Sequence, residues 1–264
     1  MSAPEANNIA AAMRSLLTDA TDPLYVLRPA PATLESLVQA TDVDTPSLHI
    51  LASVDELRAV RQRFCLATSI AELRRQDQLT LTAAPPKGRG TVLVTDETAY
   101  AVAHINEDQL LFEASSTSGR LLETCRQYHG TESFDLQTPA WGRISETLVD
   151  TFNTDVEDDF RVAIQEWTKT VDEQALGTAK IALLVAGQHE LLLHDISAWG
   201  EELGVASKAT FSRAKTALVE DGILTSEKVP IEVGRPRLRL MLTDEYAALS
   251  IAELLDQANE TVAG

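Results

Sequence analysis

The sequence predicts an α/β domain followed by a smaller α+β domain that closes on a C-terminal helix. Three patterns lead there. Short apolar runs alternate with helical patterns from Leu24 to Phe64, four strand-like runs follow one another between Leu79 and Glu113, and from Thr178 the order becomes helix, helix, tight turn, helix, hairpin, helix. Strands alternating with helices imply parallel pairing through crossovers, whereas closely spaced strands imply antiparallel hairpins.

The runs Leu24 to Leu27 and Leu48 to Ala52 are bounded by Pro23, Pro29 and Pro46 and read as buried strands. Each precedes a helical pattern, Leu34 to Ala40 and Val54 to Phe64, and Ser53 with Glu56 forms a capping box at the start of the second. Ile70 to Arg75 continues in helix. Leu79 to Thr82, Thr91 to Thr95, Ala99 to Ile105 and Gln109 to Glu113 read as strands, the last three as a meander turning at Asp96 and Asn106. A helix from Gly119 to Tyr128 follows, then Ile144 to Phe152 and Val156 to Trp167 lead out of the domain. The boundary implied is residues 1–170 for an α/β regulatory or dimerisation domain with a helical linker, and residues 171–264 for the second domain.

In the second domain a helix from Thr178 places Ala179, Ala182, Leu183 and Ala186 on one face, and Leu191 to Leu193 form an extended connector. Asp195 or Ser197 caps the next helix, which runs through Trp199 and Leu203 and stops at Gly204, so that Gly204 and Val205 make a tight turn. Ser207 then caps a helix whose apolar positions Phe211, Ala214 and Leu218 recur at three- and four-residue spacing. Lys208, Thr210, Ser212, Arg213 and Lys215 fall on or beside its open face. Gly222 accepts the left-handed conformation that ends a helix. Leu224 to Val229 and the alternating Leu238, Leu240 and Leu242 pair as a hairpin with Val233, Gly234, Arg235 and Pro236 at its tip. Arg237 and Arg239 share the other face of that strand. This is the order of a winged helix-turn-helix, with the hairpin as the wing. Ile251, Leu254, Leu255, Ala258 and Val262 give a last amphipathic helix, which needs a partner, either its own domain or a second subunit.

Charge supports this reading. Between Ser207 and Arg239 stand seven basic residues, Lys208, Arg213, Lys215, Lys228, Arg235, Arg237 and Arg239, against four acidic ones, Glu220, Asp221, Glu227 and Glu232, in a chain whose net charge is −18. Half of the six lysines lie in this window. A local positive field on an acidic body is what a duplex-phosphate surface requires, because Lys and Arg must replace the counterions condensed on DNA. The competing reading is an ordinary amphipathic helix and an exposed hairpin decorated with solvated charge.

The remaining composition bounds the class. No apolar run is long enough for a membrane span and MSAPEANN lacks the features of a signal peptide, so a cytoplasmic protein without membrane association is expected. Aspartate and glutamate total 40 against 22 basic residues, of which 16 are arginine, a lysine-poor acidic surface suited to concentrated salt. Cys65 and Cys125 stand alone, and the five histidines, His49, His104, His129, His189 and His194, are isolated in sequence. No phosphate loop, nucleophile elbow or zinc-ligand spacing is present, so neither catalytic nor metal-ligating residues are assigned and no cofactor is expected. Ser115, Ser116 and Ser118 form a polar turn before a helix. Arg28 after the first strand and Ser53 after the second share one sheet edge if those strands are parallel, and together offer an anion one cation and one helix N-terminus. The alternative for Arg28 is a surface ion pair.

The stretches HDISAWGEELGVASKATFSRAKTALVEDGI from His194 and EKVPIEVGRPRLRL from Glu227 resemble the TbsP-type transcription regulators of haloarchaea, which are distantly TrmB-like. Winged-helix regulators in general share only the Ser207, Thr210, Ser212, Arg213 and Gly222 part; the wing phrase narrows the match. The resemblance extends to the N-terminal strand-helix order and the phrase ending in Thr138 and Pro139. It implies sequence-specific DNA binding and transcriptional control linked to central carbon metabolism. Gly90 to Tyr128 also looks like the second half of the phospholipase-D-like sensor domain of TrmB-type regulators, without its catalytic His and Lys, since His104 is followed by Ile105 and Asn106.

The expectation is therefore a homodimeric transcription factor on double-stranded promoter DNA, with a non-catalytic N-terminal sensor or dimerisation domain that takes a small metabolite effector. Its DNA-contacting residues are Ser207, Lys208, Thr210, Ser212, Arg213, Lys215, Lys228, Arg235, Arg237 and Arg239, and its effector candidates Arg28 and Ser53. The alternatives are a metabolite-binding or enzymatic protein that uses its winged helix for protein contacts, and a chromatin-like binder without sequence preference.

Overall fold

The computed structural model describes residues 9–20, 23–42, 45–83, 88–105, 108–114, 118–169, 176–230 and 235–263. The chain divides into two compact units, Met1–Ala140 and Trp141–Gly264.

The first unit is built on a six-stranded sheet in the order β3-β2-β1-β4-β5-β6. Its strands are β1 (Leu24–Leu27), β2 (Leu48–Leu51), β3 (Leu79–Thr82), β4 (Thr91–Val94), β5 (Ala99–Ile105) and β6 (Asp108–Glu113). β1, β2 and β3 are parallel, with Val26 opposite Ile50 and Ile50 opposite Leu81. The connections between them carry helices α2 (Pro31–Ala40), α3 (Val54–Gln62) and α4 (Phe64–Arg75). Residues 83–90 are too few for a helical crossover, and β4 accordingly runs antiparallel to β1, with β5 and β6 following as hairpins. The expected turn at Asn106 and the serines Ser115 and Ser116 lie outside the described residues.

The two faces of the sheet are covered unequally. On one, Leu24, Val26, Leu48, Ile50, Leu79, Leu81 and Leu93 pack under α2, α3, α4 and an N-terminal helix α1 (Ile9–Asp19) that buries Met13 and Leu17. On the other, Tyr25, Leu27, Leu51, Val94 and Ala99 meet Leu122 and Cys125 of α5 (Ser118–Tyr128). Ser53 caps α3 in a capping box: its hydroxyl accepts from the Glu56 N–H at 3.2 Å and the Glu56 carboxylate accepts from the Ser53 N–H at 2.7 Å. What the sequence reads as one helix to Phe64 breaks at Arg63, whose extended ψ of 90° separates α3 from α4.

The second unit contains α6 (Trp141–Thr151), α7 (Thr154–Lys169), α8 (Gly177–Gln188), α9 (Leu193–Glu202), α10 (Lys208–Glu220), the hairpin β7 (Leu224–Val229) and β8 (Arg237–Leu242), and α11 (Ile251–Ala263). The boundary drawn from the sequence at 170/171 thus differs from the division of the chain. α6 and α7 are scaffold helices of the second unit, because α7 buries Val156, Phe160, Ala163 and Trp167 and packs against α8 and α11. α8 also departs from expectation: Ile181 to Gly187 are all buried, so it is the core of the unit with no polar face over that stretch. The last helix finds its partner within its own unit, with Ile251, Leu254, Leu255 and Ala258 buried and α7 and α8 as neighbours.

Two glycines set how closely elements approach. A Cβ at Gly200 of α9 would run into the Phe211 ring of α10, and one at Gly187 of α8 would run into Leu224 of β7. Gly200→Ala is therefore expected to destabilise the second unit despite the better helix propensity of alanine, which is worth about 1 kcal/mol. Forcing a methyl against a buried, rigid ring costs about 1–3 kcal/mol. Gly119→Ala at the start of α5, where a Cβ meets open space, is the control. Thermal unfolding checks this: Gly200→Ala melts below the wild-type chain and Gly119→Ala does not.

Candidate nucleic-acid interface

The helix-turn-helix is made by α9 and α10. α9 begins at Leu193 with Leu192 as its N-cap and no side-chain cap bond. The expected caps lie inside the helix: Asp195 is in its first turn, and Ser197 is buried with its hydroxyl donating to the His194 carbonyl at 3.1 Å. The reason is tertiary. Leu192 is extended because it forms a bridge with Arg239 of the hairpin, and the Leu191 carbonyl accepts from the Leu240 N–H at 2.9 Å. Gly204 takes φ +76° after α9, and the Val205 N–H returns to the Gly200 carbonyl at 2.8 Å, closing the turn.

Ser207 caps α10, its hydroxyl accepting from the Thr210 N–H at 3.1 Å. Phe211 and Leu218 are fully buried, which turns Ala209, Arg213, Thr216 and Glu220 to the opposite, exposed side, with Ser212 beside them. Ala209 and Thr216 belong to this ridge and are inconspicuous in the sequence, where a small apolar residue and a lone threonine carry no charge signal. Lys215 and Thr210 lie beside this ridge. Both are half-buried at the flank of α10, and the Thr210 hydroxyl lies 2.9 Å from the Ser207 hydroxyl. Arg213 folds along its own helix, donating from Nε to the Ala209 carbonyl at 3.3 Å and from Nη2 to Thr210 at 3.5 Å. Gly222, at φ +74°, ends the helix as expected, with the Ile223 N–H bonded to the Leu218 carbonyl at 3.0 Å.

The hairpin register pairs Leu224 with Leu242, Ser226 with Leu240 and Lys228 with Leu238, and on the other face Glu227 with Arg239 and Val229 with Arg237. Arg237 and Arg239 share a face, as the alternation implies. Lys228 lies on the leucine face and reaches solvent there because it is near the end of β7, next to the connection to β8. Val233 and Gly234 lie outside the described residues; Arg235 and Pro236 are exposed.

Three of the basic residues already hold carboxylates. Lys208 pairs with Glu201 at 2.8 Å, Arg237 with Asp195 at 2.9 Å and Arg239 with Glu227 at 2.9 Å. The hydrogen bonds from Lys208, side chain and backbone, hold the Glu201 carboxyl below the usual carboxylate range. Arg213, Lys215, Lys228 and Arg235 have no carboxylate partner among the described residues.

The scaffold behind α9 is aromatic and polar at once. Trp199 of α9 stands edge-on to Phe160 of α7 at 5.7 Å, and its indole N–H donates to Thr147 of α6 at 3.1 Å. Phe160 in turn stacks on Trp141 at 6.3 Å. Nearby Glu157, almost fully buried, accepts from Ser145 at 2.7 Å and from Arg161 at 2.6 Å. Burial works to raise its pKa, but the bonds from Arg161 and Ser145 prevail and hold it low.

In the first unit Arg28 and Ser53 do follow neighbouring parallel strands, and the Arg28 N–H donates to the Leu51 carbonyl at 2.8 Å. Both are engaged. Arg28 takes φ +45°, its Nε donates to the Gly90 carbonyl at 3.3 Å, and its carbonyl accepts from the Thr91 hydroxyl at 2.9 Å. The N-terminus of α3 that was to receive an anion is filled by the Glu56 carboxylate.

The histidines are less isolated in space than in sequence. His49 of β2 and His129, just past α5, stand edge-on at 4.0 Å, and Tyr25 stacks on His49 at 5.0 Å. The Thr80 hydroxyl bridges them, 2.7 Å from His49 Nδ1 and 3.3 Å from His129 Nε2. The sheet register Tyr25–His49–Thr80 puts these side chains on one face, a cross-strand relation that no local pattern displays. Burial, with the neighbouring His129 charge second, pushes the His49 pKa down to about 4. Elsewhere His189 lies 2.8 Å from Asp159, and His104 3.2 Å from the Thr33 hydroxyl. Among the described residues no group of three or more His, Cys, Asp or Glu side chains could hold a metal ion, and no helix is long and apolar enough to cross a membrane. Burial raises the Cys125 thiol to about 11, which leaves it an unreactive core residue.

A capped helix packed across a tight turn on α9, backed by α8 and flanked by a two-stranded hairpin, defines the second unit as a winged helix-turn-helix domain, the DNA-binding module of transcription regulators. The family comparisons agree. Residues 140–259 match the C-terminal helix-turn-helix domain of TbsP-like transcriptional regulators, and residues 1–139 match the N-terminal domain of the same regulators. The chain belongs to the TbsP-like transcriptional regulators. No curated protein and no solved structure matches it.

The histidine pair has a measurable consequence. A folded pKa of about 4 lies below the unfolded value of 6.5, so the unfolded chain binds the extra proton in that window. Stability from His49 is present above about pH 6.5 and is lost as pH falls toward 4. Relative to His49→Gln, the wild-type chain is expected to lose about 2 kcal/mol between about pH 7 and pH 5. Denaturant unfolding at the two pH values checks this, and equal losses in both chains contradict it.

Proposed function

We propose that this chain is a sequence-specific regulator that binds double-stranded promoter DNA as a homodimer in the cytoplasm. α10 enters the major groove with the ridge Ala209, Ser212, Arg213 and Thr216, while the hairpin lies on the adjacent backbone. Ser207, Lys208, Thr210 and Lys215 position the helix, and Lys228, Arg235, Arg237 and Arg239 contact phosphate from the wing. The observation that carries this reading is the exposed polar ridge of a capped helix next to a basic hairpin, on a chain of net charge −18. A single helix reads one half-site, so two copies on a two-fold operator follow from the usual geometry of such domains. The N-terminal unit is the non-catalytic sensor or dimerisation module, and targets in central carbon metabolism rest on the family resemblance alone. Because Arg28 and Ser53 are both engaged within the fold, an effector at their edge would have to displace the Arg28–Gly90 bond, which favours the dimerisation role.

A gel shift of the full chain on its own upstream DNA at high potassium tests the reading, with light scattering for the dimer. Arg213→Ala is expected to cost about 1–3 kcal/mol of specific binding and to relax preference at one base position. Unchanged affinity and unchanged preference would remove Arg213 from the base-reading set.

A further inference from the structure

Seven basic residues lie on α10 and the hairpin, the elements assigned to DNA above, and three of them end on carboxylates drawn from three places: the first turn of α9 (Asp195), its last turn (Glu201) and β7 (Glu227). Both partners of each pair stay open to solvent, 54% and 46% exposed for Lys208 and Glu201, 36% and 39% for Arg237 and Asp195, 39% and 49% for Arg239 and Glu227. Exposed pairs of this kind add little to folding stability. Their effect on an incoming polyanion is larger, because carboxylate and phosphate oxygens compete for the same N–H donors. Lys208 is held twice, by its ammonium at 2.8 Å and its backbone N–H at 3.3 Å, both on Glu201.

We propose that Asp195, Glu201 and Glu227 are specificity residues that suppress binding to duplex phosphate as such, by occupying Arg237, Lys208 and Arg239 before DNA arrives. The inference rests on the DNA-binding reading above. Random DNA offers these three cations only phosphates, so each contact exchanges one anion for another and releases a carboxylate that must itself be neutralised beside the duplex. The counterion-release gain of that contact is thereby cancelled. An operator offers base edges to α10 in addition, and those contacts involve no such exchange. Sequence-independent affinity then comes from Arg213, Lys215, Lys228 and Arg235, and the ratio of operator to random binding rises.

The test uses the full chain and a labelled random-sequence duplex of about 30 base pairs, with fluorescence anisotropy over a potassium chloride series. The variant Asp195→Asn/Glu201→Gln/Glu227→Gln is expected to bind at least roughly ten-fold tighter at low salt. Its log–log salt dependence steepens by about three, close to 0.9 for each cation set free. Glu201→Gln alone, at the most exposed of the three pairs, steepens it by about one and serves if the triple variant does not fold. The control Glu97→Gln/Glu123→Gln/Glu132→Gln makes the same change of net charge in the other unit and leaves affinity within about two-fold. Wild-type slopes in both carboxylate variants overturn the proposal, and so does a control as tight as the triple variant, which would reduce the effect to bulk charge. Absence of binding by wild type and variants alike, down to the lowest salt, instead overturns the DNA-binding reading on which the proposal stands.

Discussion

The contact between Phe211 and Gly200 decides which side of α10 faces outward. Phe211 is fully buried and lies where α9 presents no side chain, so the two helices approach at a distance that only glycine permits. Leu218, two turns on, fixes the same face, and the ridge from Ala209 to Glu220 is outward by consequence. The turn between the helices needs Gly204 at φ +76°. Trp199 ties α9 to α6 and α7, and α8 is buried over most of its length between α9, α10 and β8. The exposed ridge of α10 therefore stands on a core helix that has no polar face over Ile181 to Gly187.

Electrostatics act on a different level. On the proposed DNA-binding reading, the acidic excess of the chain and the carboxylates paired with Lys208, Arg237 and Arg239 both oppose indiscriminate attraction to phosphate. In concentrated salt the long-range part of any attraction is screened within a few ångströms, about 3 Å near 1 M, so close contacts carry the discrimination.

Local patterns made much of this legible in the sequence. Ser53 with Glu56, Ser207 before α10, Gly204 and Gly222 are each defined within a few residues, and all four do in the structure what their chemistry requires. The direction of strand pairing was legible, since parallel and antiparallel pairing follow from connection length. What the sequence concealed is tertiary. The start of α9 is set by the Leu192–Arg239 bridge, so Asp195 became a partner for Arg237 instead of a cap. α6 and α7 looked like a linker because their buried faces point to α8 and α11, which lie farther along the chain. α1 is held by Met13 and Leu17, one turn apart and both fully buried, a pair too short to mark a helix by pattern. His49 and His129 are 80 residues apart and meet only through the sheet register. At the candidate interface the cations were visible by type, but their ion-pair partners and the half-buried positions of Lys215 and Thr210 were not.

The most direct measurement of the central claim is genome-wide occupancy of the full-length protein in cells, compared with the same chain carrying Arg213→Ala. If α10 reads DNA, occupancy concentrates at discrete promoter sites that share one two-fold motif, and those peaks collapse in the variant while the protein level is unchanged. Occupancy spread evenly over the genome, or peaks that persist with the same motif in the variant, would contradict it.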